Sequence, residues 1–338
     1  MFSSAGDFEQ KFPFQKEISE QIYFLLAAAT RAPSTHNSQP WRFKIESDRL
    51  FVYRDTSIKF PHSDSVNRYA YISIGFLLHH IETLSSWLSM NPHITPVNKD
   101  DCVAEITFSP AIKSESTPSL VAAIFRRRNR RGNFEPKVIP QEVLGEAASA
   151  EGSPFGSPEI TIATNRDVLA NIAEATSINM KRVYKNPAFR REMAAWITPN
   201  NSSRKSGIPG YSLNQSMVMS WILPKIIRFI NMGKVLAGLN RAAIVSAPAA
   251  FGFGAPDYPD GWVSVGFAAS HAALTLVAHN FDYAVFVASI EYDDTRQSVG
   301  EIFGLHQPLE FLFVAGTLFG EASWMTPRIS VDDKLMKS

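Results

Sequence analysis

The chain has 338 residues, 45% of them hydrophobic and 19% charged, enough apolar material for one large or two modest cores. A formal net charge of +1 gives no global field toward nucleic acid or an anionic surface, so any anion must be held locally. The single cysteine, Cys102, excludes an intrachain disulfide and a cysteine-based metal cluster.

Taken in chain order, the first residues carry acid from Asp7 and lack a basic start followed by an apolar run. That is not a secretory leader, and the expectation is a cytoplasmic protein. Glu17–Thr30 predicts a helix with Ile22, Leu25, Leu26 and Ala29 on one face. It is followed by APSTHNSQPWRF (Ala32–Phe43), a run with more hydrogen-bonding groups than a simple turn needs. Trp41–Ile45 and Leu50–Arg54 alternate as two short strands around a turn. Ile72–Leu88 predicts a helix and Cys102–Phe108 a strand, and Ser109–Ser119 reads as a polar linker with two prolines.

The remainder opens with a helix carrying AIFRRRNRR, then a helix over Asp167–Lys185 and a loop, TPNNSSRKSGIPGYS. An apolar helix near 217–239 follows, then a strand AAIVSA (Ala242–Ala247), a long helix from Trp262 and a terminal strand EFLFVAGTL. The apolar region Met217–Ala250 is interrupted by Lys225, Arg228, Lys234 and Arg241. It falls short of the roughly 20 apolar residues that span a bilayer, so no stable membrane insertion is expected. It reads as a buried or capping amphipathic helix, with an interfacial membrane helix as the alternative.

Two segments repeat. YISIGFLLHHIETL (Tyr71–Leu84) and WVSVGFAASHAALTL (Trp262–Leu276) align at a constant offset of 191 residues, so Gly75, Phe76 and His80 match Gly266, Phe267 and His271. The pattern predicts two diverged copies of one α+β unit, residues 15–115 and 116–330, fused head to tail. His80 and His271 read as hydrogen-bonded, half-buried packing residues, because no carboxylate spacing accompanies them to make a metal site.

RRRNRR (Arg126–Arg131) holds five arginines in six residues. A guanidinium is a planar fork of donors that grips phosphate oxygens and keeps its charge. On a helix, two or three of these side chains would converge on one anion. The readings are a compact phosphate site, a solvated basic face or a nucleic-acid patch; the last is disfavoured by a pI near 7.9 and the absence of flanking aromatic platforms. The sequence contains no Gly-x-Gly-x-x-Gly after a strand, no phosphate-binding Gly-x-x-x-x-Gly-Lys loop and no Gly-x-Ser-x-Gly elbow.

RAPSTHNSQPWRF resembles the Ser-x-x-Asn-x-Gln-Pro-Trp signature of the FMN-dependent nitroreductase superfamily, and RRRNRRGNF resembles the segment that clasps the flavin phosphate in that superfamily. Ordinary members are shorter homodimers in which the arginine segment precedes the Ser/Asn loop and each flavin lies at the subunit interface. Here the order is reversed and each motif occurs once. The chain thus resembles the long, fused-dimer branch: an α+β nitroreductase-like fold in two tandem copies, forming an intramolecular pseudo-dimer with one complete site, the fused chain being either monomeric or dimerised further. SGIPG (Ser206–Gly210), the two S-[IV]-G-F helices and TPR (Thr326–Arg328) are further matches.

The resemblance places Pro33, Ser34, Thr35 and Asn37 against the flavin ring and ribityl chain, with Gln39 either a contact or, with Pro40 and Trp41, an anchor for the loop. It places Arg127, Asn129 and Arg131 on the phosphate, with Arg328 reaching the same group. Asn129 departs from the usual Ser, although an amide also donates to a phosphate oxygen. It implies an FMN oxidoreductase with NAD(P)H as reductant, a small nitroaromatic- or quinone-like acceptor, no protein-derived catalytic acid or base, no metal and no nucleic-acid partner. The alternative is a flavin-storing protein whose site is closed by the 217–239 segment and turns over little.

Overall fold

The computed structural model describes residues 2–110, 118–150, 153–322 and 324–336. The chain begins with α1 (Ala5–Lys11), whose first turn is capped by Ser4 accepting from the Asp7 amide, and α2 (Ile18–Ala29). The hairpin β1 (Trp41–Glu46) and β2 (Arg49–Arg54) leads to α3 (Arg68–Trp87), then β3 (Met90–Lys99) and β4 (Cys102–Pro110). After α4 (Pro118–Arg126) and α5 (Gln141–Ala148), β5 (Glu159–Ala163) opens a second sheet. A long excursion follows: α6 (Arg166–Val183), α7 (Pro187–Trp196), the two-residue strands β6 (Ile197–Thr198) and β7 (Ile208–Pro209), α8 (Met217–Phe229) and α9 (Gly233–Ser246). The chain closes with β8 (Ala249–Gly254), α10 (Pro259–Ala278), β9 (Asp282–Val285), α11 (Asp293–Phe303), β10 (Leu309–Gly316) and the short α12 (Val331–Lys334).

The result is α+β. Each four-stranded sheet is antiparallel, one in the order β1-β2-β4-β3 and the other β5-β8-β10-β9. Counted by chain order within each sheet, both run first-second-fourth-third, and both place a long helix, α3 or α10, between the second and third strands. These two helices cross in the core. A Cβ on Gly75 would lie 2.2 Å from the Val263 carbonyl oxygen, and one on Gly266 would lie 2.0 Å from that of Ile72. The contacts are reciprocal at the 191-residue offset, as residue pairs are across a two-fold interface. Close to that crossing His79 Nδ1 lies 3.0 Å from Ser270 Oγ, again 191 positions apart. Helix α10 is long and apolar enough to cross a membrane, but 83% of that stretch is buried inside the fold.

Several expectations are corrected. AAIVS is the last part of α9, with Ala247 as its C-cap, and the strand is the following AAFGFG. The 217–239 segment is two helices broken at Ile230–Met232, not one. Strand β3 stands where no element was expected. His80 is fully buried instead of half-buried, whereas His271 keeps partial exposure with its Nε2 3.2 Å from the Glu146 carbonyl oxygen. Of the expected linker, Ser109 and Pro110 end β4 and Pro118 and Ser119 begin α4; residues 111–117 lie outside the described residues.

Candidate functional site

Helix α2 stops at Ala29, and the chain enters the loop through Thr30, Arg31 and Ala32. Three non-glycine residues there, His36 (φ 51°), Asn37 (φ 53°) and Gln39 (φ 54°), hold left-handed backbone conformations. Such conformations persist only where surrounding contacts over-determine them, and those contacts are present. The Gln39 amide donates to Ser34 Oγ at 2.9 Å. Its side chain donates to the Lys205 carbonyl at 2.9 Å and accepts from the Ile329 amide at 2.8 Å. Gln39 is therefore a fully buried strut joining the loop to the excursion and to the C-terminal tail. Asn37 donates to the Pro327 carbonyl at 3.1 Å, and its Oδ1 accepts from Arg328 Nη1 at 2.8 Å.

The arginine run lies beyond the helix expected to carry it. Helix α4 ends at Arg126, so the next five residues follow an irregular path and their directions are set by individual contacts. Arg126 bonds the Val277 carbonyl and Asn280, and Arg130 bonds the Phe319 and Gly320 carbonyls; both serve as clamps. Arg127 donates to the Arg31 carbonyl at 2.7 Å and to Tyr283 Oη at 3.1 Å. Arg128 donates to the Trp324 carbonyl at 2.7 Å, and Arg131 lies over the Phe286 ring at 5.6 Å.

Together these segments border a cavity of about 550 Å³, within the usual range for a small-molecule site. Pro33, Ser34, Asn37, Arg127, Asn129, Arg131 and Arg328 line it; Thr35 and Gln39 do not. The Thr35 amide instead donates to Ser73 Oγ at 3.3 Å. Arg31, Arg128, His36 and Trp324 also line the cavity without having been singled out by sequence. Arg31 stands immediately before the loop and Arg128 inside the run, so adjacency was the available signal. Tyr184, Leu223, Ile227 and Leu236, from the excursion, supply an apolar wall that no motif marks.

Electrostatically the cavity is lopsided. Arg31, Arg127, Arg128, Arg131 and Arg328 line it, and among the described residues no Asp or Glu does. Burial, with the Arg127 and Arg31 charges, pushes the Arg328 guanidinium down to about 9. Burial with Arg127 and Arg128 pushes Arg31 down to about 10. Burial and the Arg131 charge push His36 down to about 4, so its ring is neutral at pH 7. Nε and Nη1 of Arg31 and Nε of Arg127 are buried without hydrogen-bond partners among the described residues. Buried cations are ordinarily paired with an anion; Arg31 and Arg127 donate to neutral oxygens, the Phe125 and Arg31 carbonyls and Tyr283 Oη, and among the described residues no carboxylate pairs with them. The residues present therefore fit an anionic group seated beside an apolar body. Among the described residues there is no cluster of three or more His, Cys, Asp or Glu side chains suited to a metal.

No family model matches the chain. One Mycobacterium tuberculosis protein provisionally named an NAD(P)H nitroreductase is 30% identical over 125 residues, 36% of either chain. A second with such a name is 28% identical over 190 residues, 55% of this chain and 56% of the relative. An uncharacterised protein of the same organism is 35% identical over 181 residues, 51% of either chain. The aligned segments thus span about a third to a half of the lengths of these relatives. Among solved structures, the FMN- and NADPH-dependent nitroreductase NfnB of Sphigopyxis sp. strain HMH gives a TM-score of 0.44 at 18% identity, covering 65% of this chain and 98% of its own. The FMN-dependent NfnB of Mycobacterium smegmatis, solved with NADPH, gives 0.43 at 18% identity with the same coverage. In sequence, then, the chain is similar to mycobacterial proteins that carry the nitroreductase name.

Proposed function

We propose that this chain is an FMN-binding oxidoreductase that takes reducing equivalents from NAD(P)H and delivers them to a small electrophilic acceptor. The observation that carries the reading is the cavity itself, lined by five arginines and, among the described residues, by no carboxylate, beside the Pro33–Asn37 loop. Names of the mycobacterial relatives support it. Arg127, Arg131 and Arg328, with Arg31 added, would hold the flavin phosphate; Ser34 and Asn37 would offer hydrogen bonds to its polar edges, and Asn129 an amide donor.

A bound flavin supplies hydride acceptance and delivery without a protein acid or base. The protein's tasks are to neutralise the phosphate, fix the ring and keep bulk water away. The Ile124, Tyr184, Ile227 and Phe286 side chains supply the apolar surroundings for the last. Leu239 lines the cavity and is 62% exposed, which places a mouth on the surface. An open mouth favours turnover over closed storage.

We further propose that residues 15–115 and 116–330 are two fused copies of one unit. The matching strand orders and the reciprocal Gly75 and Gly266 contacts support that reading.

The test is the visible absorbance of the purified protein, or of protein mixed with FMN, followed by anaerobic NADH and NADPH. Stoichiometric flavin bleached by either nucleotide and restored by a quinone is expected. A chain that neither retains nor takes up FMN overturns the cofactor assignment; flavin that stays oxidised under both nucleotides overturns the activity.

A further inference from the structure

Apart from Leu239, the outward face of the α8–α9 pair does not line the cavity, and its character is unusual. Helix α8 turns a polar-poor face to solvent: Met217, Trp221, Ile222 and Phe229 are 51%, 54%, 41% and 74% exposed. At about 100° per residue, these positions, with Val218, Lys225 and Arg228, occupy a continuous arc of about 140°. The opposite face sends Leu223 and Ile227 into the cavity wall. A helix apolar on both faces is expected inside a protein, not at its edge. Ile230, Val235 and Leu239, at 55%, 55% and 62% exposed, extend the same character through the turn into α9.

Charge distinguishes the candidate occupants of this face. Residues 217–247 contain Lys225, Arg228, Lys234 and Arg241 and no acidic residue, in a chain whose net charge is only +1. All four cations are exposed, and among the described residues only Arg241 has an ion-pair partner, Glu174 at 3.4 Å. A second copy meeting this face symmetrically would oppose like charges. An anionic lipid surface complements both features at once: exposed Trp and Phe enter the headgroup boundary while lysine and arginine stems reach outward to phosphates.

We propose that the α8–α9 face docks on an anionic membrane surface, lying in the interface without crossing it. Because Leu239 belongs both to this face and to the cavity lining, docking would bring the cavity mouth against the bilayer. On the oxidoreductase reading, the acceptor class then narrows to an apolar quinone-type molecule dissolved in lipid; the docking itself does not depend on that reading.

The test is co-sedimentation of the full chain with vesicles of phosphatidylcholine alone or with phosphatidylglycerol added. Binding is expected only to the anionic vesicles, and to fall as salt is raised. Each cation near such a surface strengthens binding about five-fold, so the Lys225→Gln, Lys234→Gln double variant should bind about 30-fold more weakly. Trp221→Ser with Phe229→Ser should abolish binding at all salt concentrations. These positions are exposed, and unchanged thermal melts would show that the variants remain folded. Absence of binding to anionic vesicles at low salt overturns the proposal, as does binding that neither variant weakens. Sedimentation of the wild type as a dimer that Trp221→Asp dissociates assigns the face to a second copy and also overturns it. Loss of docking with flavin reduction intact would leave the proposed activity standing, so the two readings fail separately.

Discussion

Arg328 shows how the candidate site is assembled from distant residues. Its guanidinium donates to the Thr30 carbonyl at 2.8 Å, to Asn37 Oδ1 at 2.8 Å and to the Arg31 carbonyl at 3.0 Å. The C-terminal tail thereby fixes the loop that follows α2, yet the same cation adds to a cluster already carrying Arg31 and Arg127. Without an anion that cluster is a cost to the fold. Ligand that binds only the folded state stabilises by about 2.7 kcal/mol at a hundred times its dissociation constant, so FMN should raise the melting temperature of flavin-free protein. The Arg127→Ala, Arg131→Ala double variant should lose that shift and its flavin; a shift equal to wild type would remove the phosphate from these residues.

Glu291 carries a second residue-scale consequence. Burial raises its carboxyl to about 8 against the pull of Arg68, while Tyr69 Oη donates to it at 3.3 Å. The folded state therefore holds a proton that the unfolded state releases near 4.5. That contribution to stability is full below 4.5 and is lost as pH rises toward 8, with a slope of up to about 1.4 kcal/mol per pH unit. Glu291→Gln should flatten the fall in melting temperature across that window; an unchanged profile would show that another group sets it.

At the scale of elements, the α3–α10 crossing is the most exacting contact. A methyl group at Gly75 or Gly266 meets backbone of the facing helix at 2.2 or 2.0 Å, and backbone cannot step aside as a flexible side chain can. Overpacking of this kind costs about 1–3 kcal/mol, sometimes more. Gly75→Ala and Gly266→Ala should each lower denaturant midpoints by similar amounts, because the contacts are reciprocal. A variant as stable as wild type would mean that the helices do not pack at this distance.

The elements that were legible in sequence are those whose apolar periodicity agrees with their final state. Ile22, Leu25, Leu26 and Ala29 made α2 readable, and Trp41 to Arg54 made the first hairpin readable. Strand β3 was hidden because Pro92 and Pro96 argue against a strand, and it tolerates them only as the edge of its sheet. AAFGFG was hidden by its glycines, which tertiary contact explains: a Cβ on Gly252 would lie 2.9 Å from the Phe303 ring. AAIVSA, which carries the strand formers Ile244 and Val245, is helical through Ser246, with Ala243, Ile244 and the C-cap Ala247 reaching a buried cluster at helical spacing. The arginine run was legible as an anion grip but not in its directions, since its path after α4 depends on carbonyls nearly two hundred residues away, such as those of Trp324 and Phe319.

For the whole molecule, the consequence of the proposed fusion is stoichiometry. The loop before β1 and the arginines after α4 border one cavity within a single chain. If the two units are copies, chain order gives each feature a counterpart. The segment after α1, which runs into the start of the first unit and matches the arginines after α4 in chain order, is Phe12-Pro13-Phe14-Gln15-Lys16, with one cation where the other unit has four. Phe12 packs against Phe8, Phe14 and Phe24 with ring centroids 6.0, 4.8 and 5.7 Å away. Aromatic packing around the buried Phe12 offers a phosphate neither charge nor donors, so on this reading the second position no longer holds one. One FMN per chain is expected from combined flavin absorbance and amino-acid analysis, with the same ratio whatever the protein concentration. Two per chain would contradict the loss of the second position. A ratio that falls on dilution of the protein at a fixed saturating concentration of free FMN would instead mean that two chains are needed to complete one site.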